Sequence, residues 1–388
     1  MEKQDFNEKD EIAYLEKEFT AERQKETLPA LNVSNVVLYV NSNFKNFPFD
    51  IVEGGSSNLG MFLTPKPEKY CSEPIQRAKI MPEEISGRSI FLGEFDFVDK
   101  EGRQYRDVDL KGTGTFLRLE TGEYVVGEVK KRGNNPTEAK GLMGNNSAFD
   151  SKDCSEFFLS NGIRTNRVVA ILGLKEIIDK EGNKISIEKA KEIGIISAEM
   201  CPVILVRAFN TKERIDYITR ISTNKEKNRA ILALEDARSV VAKELNRDLY
   251  NFSLVDYLYW FSKTLGEQIA KVRKIGVYSG NLHPQNITLD CSIADLEGFK
   301  VTKKIFLNNK KENDYREQLE EHLNLKRGGL IPEIIYQSEF DGVLNTLNVF
   351  LQSIEELTHG IKDDDKQRCI NFFEEAYKKE CENNFLEY

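Results

Sequence analysis

Hydrophobic and polar positions are mostly strand-like between Leu28 and about residue 208 and recur at helical spacing of three and four residues from Thr211 onward. Between Leu28 and about Pro65 the pattern is β-like, with Val33, Val36, Val37, Leu38 and Val40 clustered ahead of Asn-, Phe- and Gly-rich turns. Residues 89–94, 101–111 and 123–130 read as strands of one sheet, with turns at 99–102 and 120–122. Residues 147–161 have helical periodicity that stops at Gly162, a normal helix end because glycine takes the left-handed conformation readily. Apolar runs at 167–172 and 201–208 flank a charged segment, 179–192, expected as an inserted hairpin, while 66–84 is proline-punctuated and irregular. From Thr211 helices dominate. Leu254, Leu258, Phe261, Leu265, Ile269 and Val272 form one buried stripe, and Val343, Leu344, Leu347, Phe350, Leu351, Ile354 and Leu357 form another. Residues 303–324 and 363–388 are charge-rich and expected to face solvent. The pattern predicts an α+β chain with a charged, solvated arm (1–28), a mostly β region (29–210) and a helical region (211–388).

Composition narrows this further. A chain of 388 residues is ample for a sizeable core. Its net charge of -9, with 31% charged residues, argues against a broad basic face for nucleic acid, yet leaves room for a local basic pocket for phosphates. The six cysteines form no C-x-x-C pair, so neither a zinc site nor a disulfide framework is signalled, and reduced cytoplasmic thiols are the expectation. No apolar run approaches the ~18 residues of a membrane span. The charged N-terminus lacks the apolar core of a signal peptide, a feature equally compatible with export by a specialised secretion system.

Candidate chemistry concentrates in residues 277–299, VYSGNLHPQNITLDCSIADLEGF. Asn286 precedes a short strand (Ile287, Thr288, Leu289), a turn at 290–292 and a return strand, and Asp295 follows nine residues after Asn286. An amide oxygen and a carboxylate brought together across a hairpin suit a hard cation such as Mg²⁺, which binds through one or two carboxylates plus substrate phosphates. The competing reading is a surface hairpin with an incidental Asn and Asp. Residues 279–286 have the layout of a kinase catalytic loop, H-R-D-x-x-x-x-N, but the Asp position holds Asn281, whose amide cannot take a hydroxyl proton. That disfavours ordinary γ-phosphoryl transfer. His283 reads as a packed scaffold residue rather than a base. Lys111, in DVDLKGTG, stands at an expected strand end beside Gly112 and Gly114, where it can reach phosphate oxygens; an exposed strand lysine is the alternative. Neither G-x-x-x-x-G-K-[ST] nor G-x-G-x-x-G occurs.

These stretches, taken in order, resemble the SelO-like pseudokinases, which bind ATP inverted in a kinase fold and transfer AMP to protein side chains. DVDLKGTG (107–114) is similar to that family's D-or-H-L-K-G-x-G, and SGRSIFLGE (86–94) to its D-G-R-G-x-x-L-G-E. SEFFLSNGIRTNR (155–167) resembles S-E-A-M-x-x-L-G-I-P-T-T-R, and VRAFNTKER (206–214) resembles R-V-A-x-S-H-x-R, with Arg207 and Arg214 at the family's seven-residue spacing. The resemblance covers 85–299. It implies a bilobal protein-kinase-like fold with a β small lobe and a helical large lobe whose metal loop is 279–298. It implies ATP and Mg²⁺ (or Mn²⁺) as cofactors, with Arg88, Lys111, Gly112, Arg207 and Arg214 at the nucleotide and Asn286 and Asp295 on the metal. A protein is the implied substrate.

The departures carry their own expectations. The family's helix acid, partner of the lysine, falls on Ser151 without a gap; Asp150, Asp153 and Glu156 are substitutes, with Glu156 first because SEFF aligns directly. The family's base carboxylate, immediately before the metal-binding Asn, is Gln285 here, and an uncharged amide cannot deprotonate a hydroxyl. Three routes remain: a carboxylate acceptor that needs no base, as in kinase-fold glutamylases that pass through an acyl adenylate; another acid such as Asp290 or Glu297; or a nucleotide-binding scaffold without activity.

Overall fold

The computed structural model describes residues 17–21, 23, 26–66, 74–81, 86–131, 139–221, 223–275, 277, 282–298 and 331–382. The strands are β1 (Thr27–Asn32), β2 (Asn35–Val40), β3 (Phe44–Lys45), β4 (Met61–Leu63), β5 (Gln76–Lys79), β6 (Ser86–Asp99), β7 (Gln104–Arg118), β8 (Tyr124–Gly127), β9 (Lys130–Lys131), β10 (Ala139–Lys140), β11 (Met143–Gly144), β12 (Arg167–Leu174), β13 (Glu176–Ile178), β14 (Lys184–Ser186) and β15 (Pro202–Phe209). The helices are α1 (Asn145–Ser160), α2 (Ile187–Glu192), α3 (Ile215–Thr219), α4 (Asn224–Glu244), α5 (Leu254–Lys274), α6 (Ile331–Thr358) and α7 (Asp363–Glu382). The chain divides into two compact units: Met1–Lys152, Asn166–Lys212 and Asn228–Val240 in the first, and Asp153–Thr165, Glu213–Lys227 and Val241–Tyr388 in the second.

The first unit is built on one antiparallel sheet of eleven strands among the described residues, ordered β2-β12-β15-β7-β6-β5-β1-β4 along its main path. Strand β7 lies at its centre, and alternation separates its two faces. Val108, Leu110 and Phe116 enter an apolar core with Ile90, Ala170, Leu172, Ile204 and Val206. Beside and between them along the strand stand Asp107, Asp109, Lys111, Thr113 and Thr115, all buried and all polar. Burying that many polar groups is tolerable only if each finds a partner. Arg23 supplies one set: its guanidinium, fully shielded, donates to Asp107 at 2.6 Å and to Glu94 at 2.5 Å. Arg106 pairs with Asp236 of α4 at 2.6 and 2.7 Å.

Several sequence expectations change here. Part of the arm expected to be solvated is buried, with Phe19 and Arg23 almost without exposure. The Arg23 guanidinium lies 4.8 Å from the Phe91 ring centroid, so the arm contributes a counter-ion to the sheet. The strand expected at 101–111 runs on to Arg118, placing Lys111 at mid-strand. The segment 179–192 is only partly a hairpin: β13 pairs with β14, and α2 follows, burying Ile187 and Ala190. In place of a single cut at 210/211, segments are exchanged between the units, because α4 buries Ala230, Ala233, Leu234 and Ala237 and carries the Arg106 partner.

In the second unit, α5 buries Leu258, Phe261, Leu265, Ile269 and Val272, with Leu254 half-buried at its start. A capping box holds that start: Ser253 Oγ accepts from the Asp256 amide at 3.1 Å while the Asp256 carboxylate accepts from the Ser253 amide at 3.0 Å. Residues 363–382, expected to face solvent, form α7, which buries Cys369, Phe373 and Ala376 and packs on α5. A Cβ on Gly266 would stand 2.2 Å from the Phe373 carbonyl oxygen, so the two helices approach as closely as glycine allows. Residues 303–324 lie outside the described residues, as does Asn281. Among the described residues no helix is long and apolar enough to cross a membrane.

Candidate functional site

Residues 286–295 form the tight hairpin that the sequence pattern predicts. Ile287 and Ile293 pair antiparallel, the Thr288 amide donates to the Ser292 carbonyl at 2.9 Å, and the Ala294 amide donates to the Asn286 carbonyl at 2.8 Å. This register sets Asn286 across from Ala294, so Asp295 comes one residue beyond, at the same open end of the hairpin. Asn286 is buried and Asp295 half-buried. Asp295 has φ +57°, a left-handed backbone that costs a non-glycine residue energy and tends to persist where it aims a functional side chain.

The hairpin is clamped from both sides. The Leu289 amide donates to Glu213 at 2.8 Å and the Ile215 amide donates to Ile287 at 3.0 Å, which makes Arg214 the strand neighbour of Thr288. On the other side the Ile293 amide donates to Arg164 at 2.9 Å, and the Thr165 hydroxyl donates to the Ile293 carbonyl at 2.6 Å. Helix α5 holds the tip through the Tyr257 hydroxyl, 2.6 Å from the Leu289 carbonyl. The stripe of α5 therefore serves to fix a loop on a rigid element.

Two acids follow different fates around this hairpin. Asp290 accepts from the Thr288 hydroxyl and, at 2.9 Å, from the Ser292 hydroxyl, with the Arg164 guanidinium 3.6 Å away. Burial pushes its carboxyl up against the pull of Arg164, but all of its contacts bind it into the turn. Among the two acids proposed to replace Gln285 from the sequence, Asp290 is thus committed to structure; Glu297 lies half-buried in the turn after Asp295. Asp216, which sequence reasoning did not single out, hydrogen-bonds Gln285 and accepts from Arg220 Nε at 2.6 Å. Burial raises its pKa, opposed by Arg220, Gln285, Arg214 and His283. With the Gln285 amide oriented to suit its neighbours, its oxygen accepts from both terminal nitrogens of Arg220, at 2.6 and 3.1 Å. His283 caps the 3₁₀ turn Pro284–Asn286, its Nδ1 accepting from the Gln285 amide at 3.3 Å. That is a scaffold role.

The first unit holds the other sequence candidates. Cross-strand register makes Arg207 of β15 the neighbour of Asp109 on β7, and Leu205 the neighbour of Lys111. The Arg207 guanidinium is bidentate on Asp109, at 2.9 Å through Nε and 2.7 Å through a terminal nitrogen. Lys212 Nζ is 3.0 Å from the same carboxylate. Burial would raise the Asp109 pKa, but the two cations outweigh it and hold it at about 2. Arg207, expected at the nucleotide, has these two donors engaged by the sheet. Arg88 donates to the Leu142 carbonyl at 2.8 Å. Gly112 has φ +97°, and a Cβ there would lie 2.6 Å from the Val203 carbonyl oxygen, so the close backbone approach expected of it is met by the protein's own strand β15. Lys111 is buried on β7 between Ser89 and Leu205. On α1, Ser151 is buried and donates to the Ser147 carbonyl at 2.8 Å, while Glu156 is half-buried.

Lys111, Arg207, Arg88 and Gly112 thus belong to the first unit, and Glu156, Arg214, Asn286 and Asp295 to the second. The register brings Arg214, Asn286 and Asp295 to one small sheet. Among the described residues no three His, Cys, Asp or Glu side chains gather as a metal-binding group. The pair Asn286 and Asp295 fits a different demand: two hard oxygen donors suit Mg²⁺ or Mn²⁺ when phosphates and water fill the remaining positions. The chain matches no protein-family model, and no curated protein matches it.

Proposed function

We propose that this chain is a protein adenylyltransferase with a kinase-like fold, the first unit acting as the small lobe and the second as the large lobe. One observation carries the reading. The hairpin register brings Asn286 and a left-handed Asp295 to the same end of one clamped turn, and Arg214 is strand-paired beside them. Mg²⁺ or Mn²⁺ held by Asn286 and Asp295 would neutralise charge on the triphosphate of ATP. In this reading Arg214, on the same unit as the hairpin, binds phosphate oxygens. Catalysis then comes from positioning and charge neutralisation. The acceptor is a protein side chain, and the product carries AMP.

A second reading, a nucleotide-binding scaffold without transfer, draws on two observations. Gln285 carries no charge, and Arg207 is held by Asp109. Incubation with ATP labelled at the α- or γ-phosphate separates the possibilities. Transfer of α-label that is lost in Asp295→Ala supports adenylylation. Transfer of γ-label instead means a kinase. No transfer of either, with metal-dependent ATP uptake by calorimetry, means a scaffold, and no uptake at all refutes the nucleotide site.

A further inference from the structure

A hydroxyl that attacks the α-phosphorus must lose its proton, and neither Asn281 nor Gln285 can take it. Among the carboxylates around the hairpin, Glu213 is buried where its backbone pairs with Leu289, Glu244 is bidentate with Arg164, and Glu297 lies in the turn after Asp295, beyond the metal pair. Asp290 is bound into the turn by Thr288, Ser292 and Arg164. Asp295 belongs to the metal pair in the reading above. Asp216 stands apart from both: it sits in the first turn of α3, two residues after Arg214, and hydrogen-bonds Gln285, the residue directly before Asn286. Backbone hydrogen bonds fix that adjacency, since the Ile215 amide donates to the Ile287 carbonyl at 3.0 Å.

We propose that Asp216 is the proton acceptor of this site, taking over the part that Gln285 is chemically unable to play, and that the acceptor of AMP is accordingly a Ser, Thr or Tyr hydroxyl. The proposal rests on the adenylyltransferase reading. In the step, the hydroxyl oxygen bonds to the α-phosphorus and its proton passes to an Asp216 carboxylate oxygen. The bond from the α-phosphorus to the oxygen bridging to the β-phosphate breaks, and pyrophosphate leaves with that electron pair. Arg220 holds one carboxylate oxygen through Nε and also donates to Gln285, which ties the acid to the amide. The charged and titratable groups acting on Asp216 include Arg220 and Arg214 on its own segment and His283 from the hairpin side. Its partial burial favours a proton-accepting carboxylate over a permanently ionised one, because the charged form is less well solvated there.

The test uses the full chain, α-labelled ATP, and casein and the chain itself as acceptors. Asp216→Asn is expected to lower kcat by about 100- to 10,000-fold, the usual worth of general acid–base catalysis, with KM for ATP within about twofold. The acid limb of the pH–rate profile should vanish with it. Asp216→Glu should keep at least about a tenth of the rate, and Gln285→Glu added to Asp216→Asn should restore transfer. The label should resist neutral hydroxylamine, as a phosphodiester does and an acyl adenylate does not. Transfer by Asp216→Asn at the unaltered rate and pH profile overturns the assignment while leaving adenylylation standing, as does release of the label by hydroxylamine. Equal loss in Asp216→Glu and Asp216→Asn, with equally lowered melting temperatures, also overturns it, since that marks a structural role. Absence of α-label transfer by the unaltered chain overturns the adenylyltransferase reading and this inference together.

Discussion

Replacing Asp109 by Asn removes the charge on which the polar face of β7 depends. The carboxylate is fully buried, bidentate with Arg207 and 3.0 Å from Lys212 Nζ. An ordinary Asp titrates near 3.8, and this one is held at about 2, which corresponds to about 2 kcal/mol of native-state stabilisation. Because the native pKa is the lower of the two, that contribution is complete above the unfolded value and is lost as pH falls toward about 2. The substitution also leaves a guanidinium and an ammonium facing a neutral amide in a buried site. Breaking a buried pair in this way costs about 3–5 kcal/mol at neutral pH. Urea unfolding followed by far-UV circular dichroism at pH 6 and pH 3 measures both effects. The gap between the unaltered chain and Asp109→Asn should be about 3–5 kcal/mol at pH 6 and should narrow by about 1 kcal/mol at pH 3, where part of the Asp109 contribution is gone. A gap below about 1 kcal/mol at pH 6, or one that does not narrow, would refute the assignment of Arg207 to Asp109.

Two further substitutions probe the scaffold. Gly112→Ala meets both a φ of +97° and the Val203 carbonyl 2.6 Å from the new Cβ, and should cost about 2 kcal/mol or more, whereas Gly102→Ala, with φ +83° and nothing within 4 Å, should cost about 1 kcal/mol. Equal melting temperatures for the two variants would remove the close approach of β15 as the reason for glycine at 112. Ser253→Ala breaks the capping box of α5 and should lose about 1 kcal/mol, with faster amide exchange confined to its first turn. Exchange that quickens through the whole helix, or not at all, would count against the cap as a local device.

Much of the hairpin was legible in advance because its contacts are local. Eight residues separate Asn286 from Asp295, and a short apolar strand, a turn and a return strand leave few registers open. The stripe of α5 was equally plain, since six apolar positions at helical spacing define a face whatever they pack against. The extent of β7 was less so. Gly112 and Gly114 suggested an end, yet the strand passes through both, each at positive φ with backbone or side chains pressed close. The charge-rich C-terminal segment misled for a related reason: Cys369, Phe373 and Ala376 are too sparse among charges to announce a buried face until α5 offers them Gly266.

The sequence by itself determined the apolar stripe of helix α5 and the hairpin that carries Asn286 and Asp295. Periodicity and turn chemistry act over a few residues and can be read without a partner. Only the tertiary structure decided that Arg207 meets Asp109, 98 residues away along the chain, and that Asp216 stands against Gln285. Alternation tells which face of a strand a side chain takes, but strand order and register choose its neighbour, and those follow from how the whole sheet and its helices bury their apolar surface.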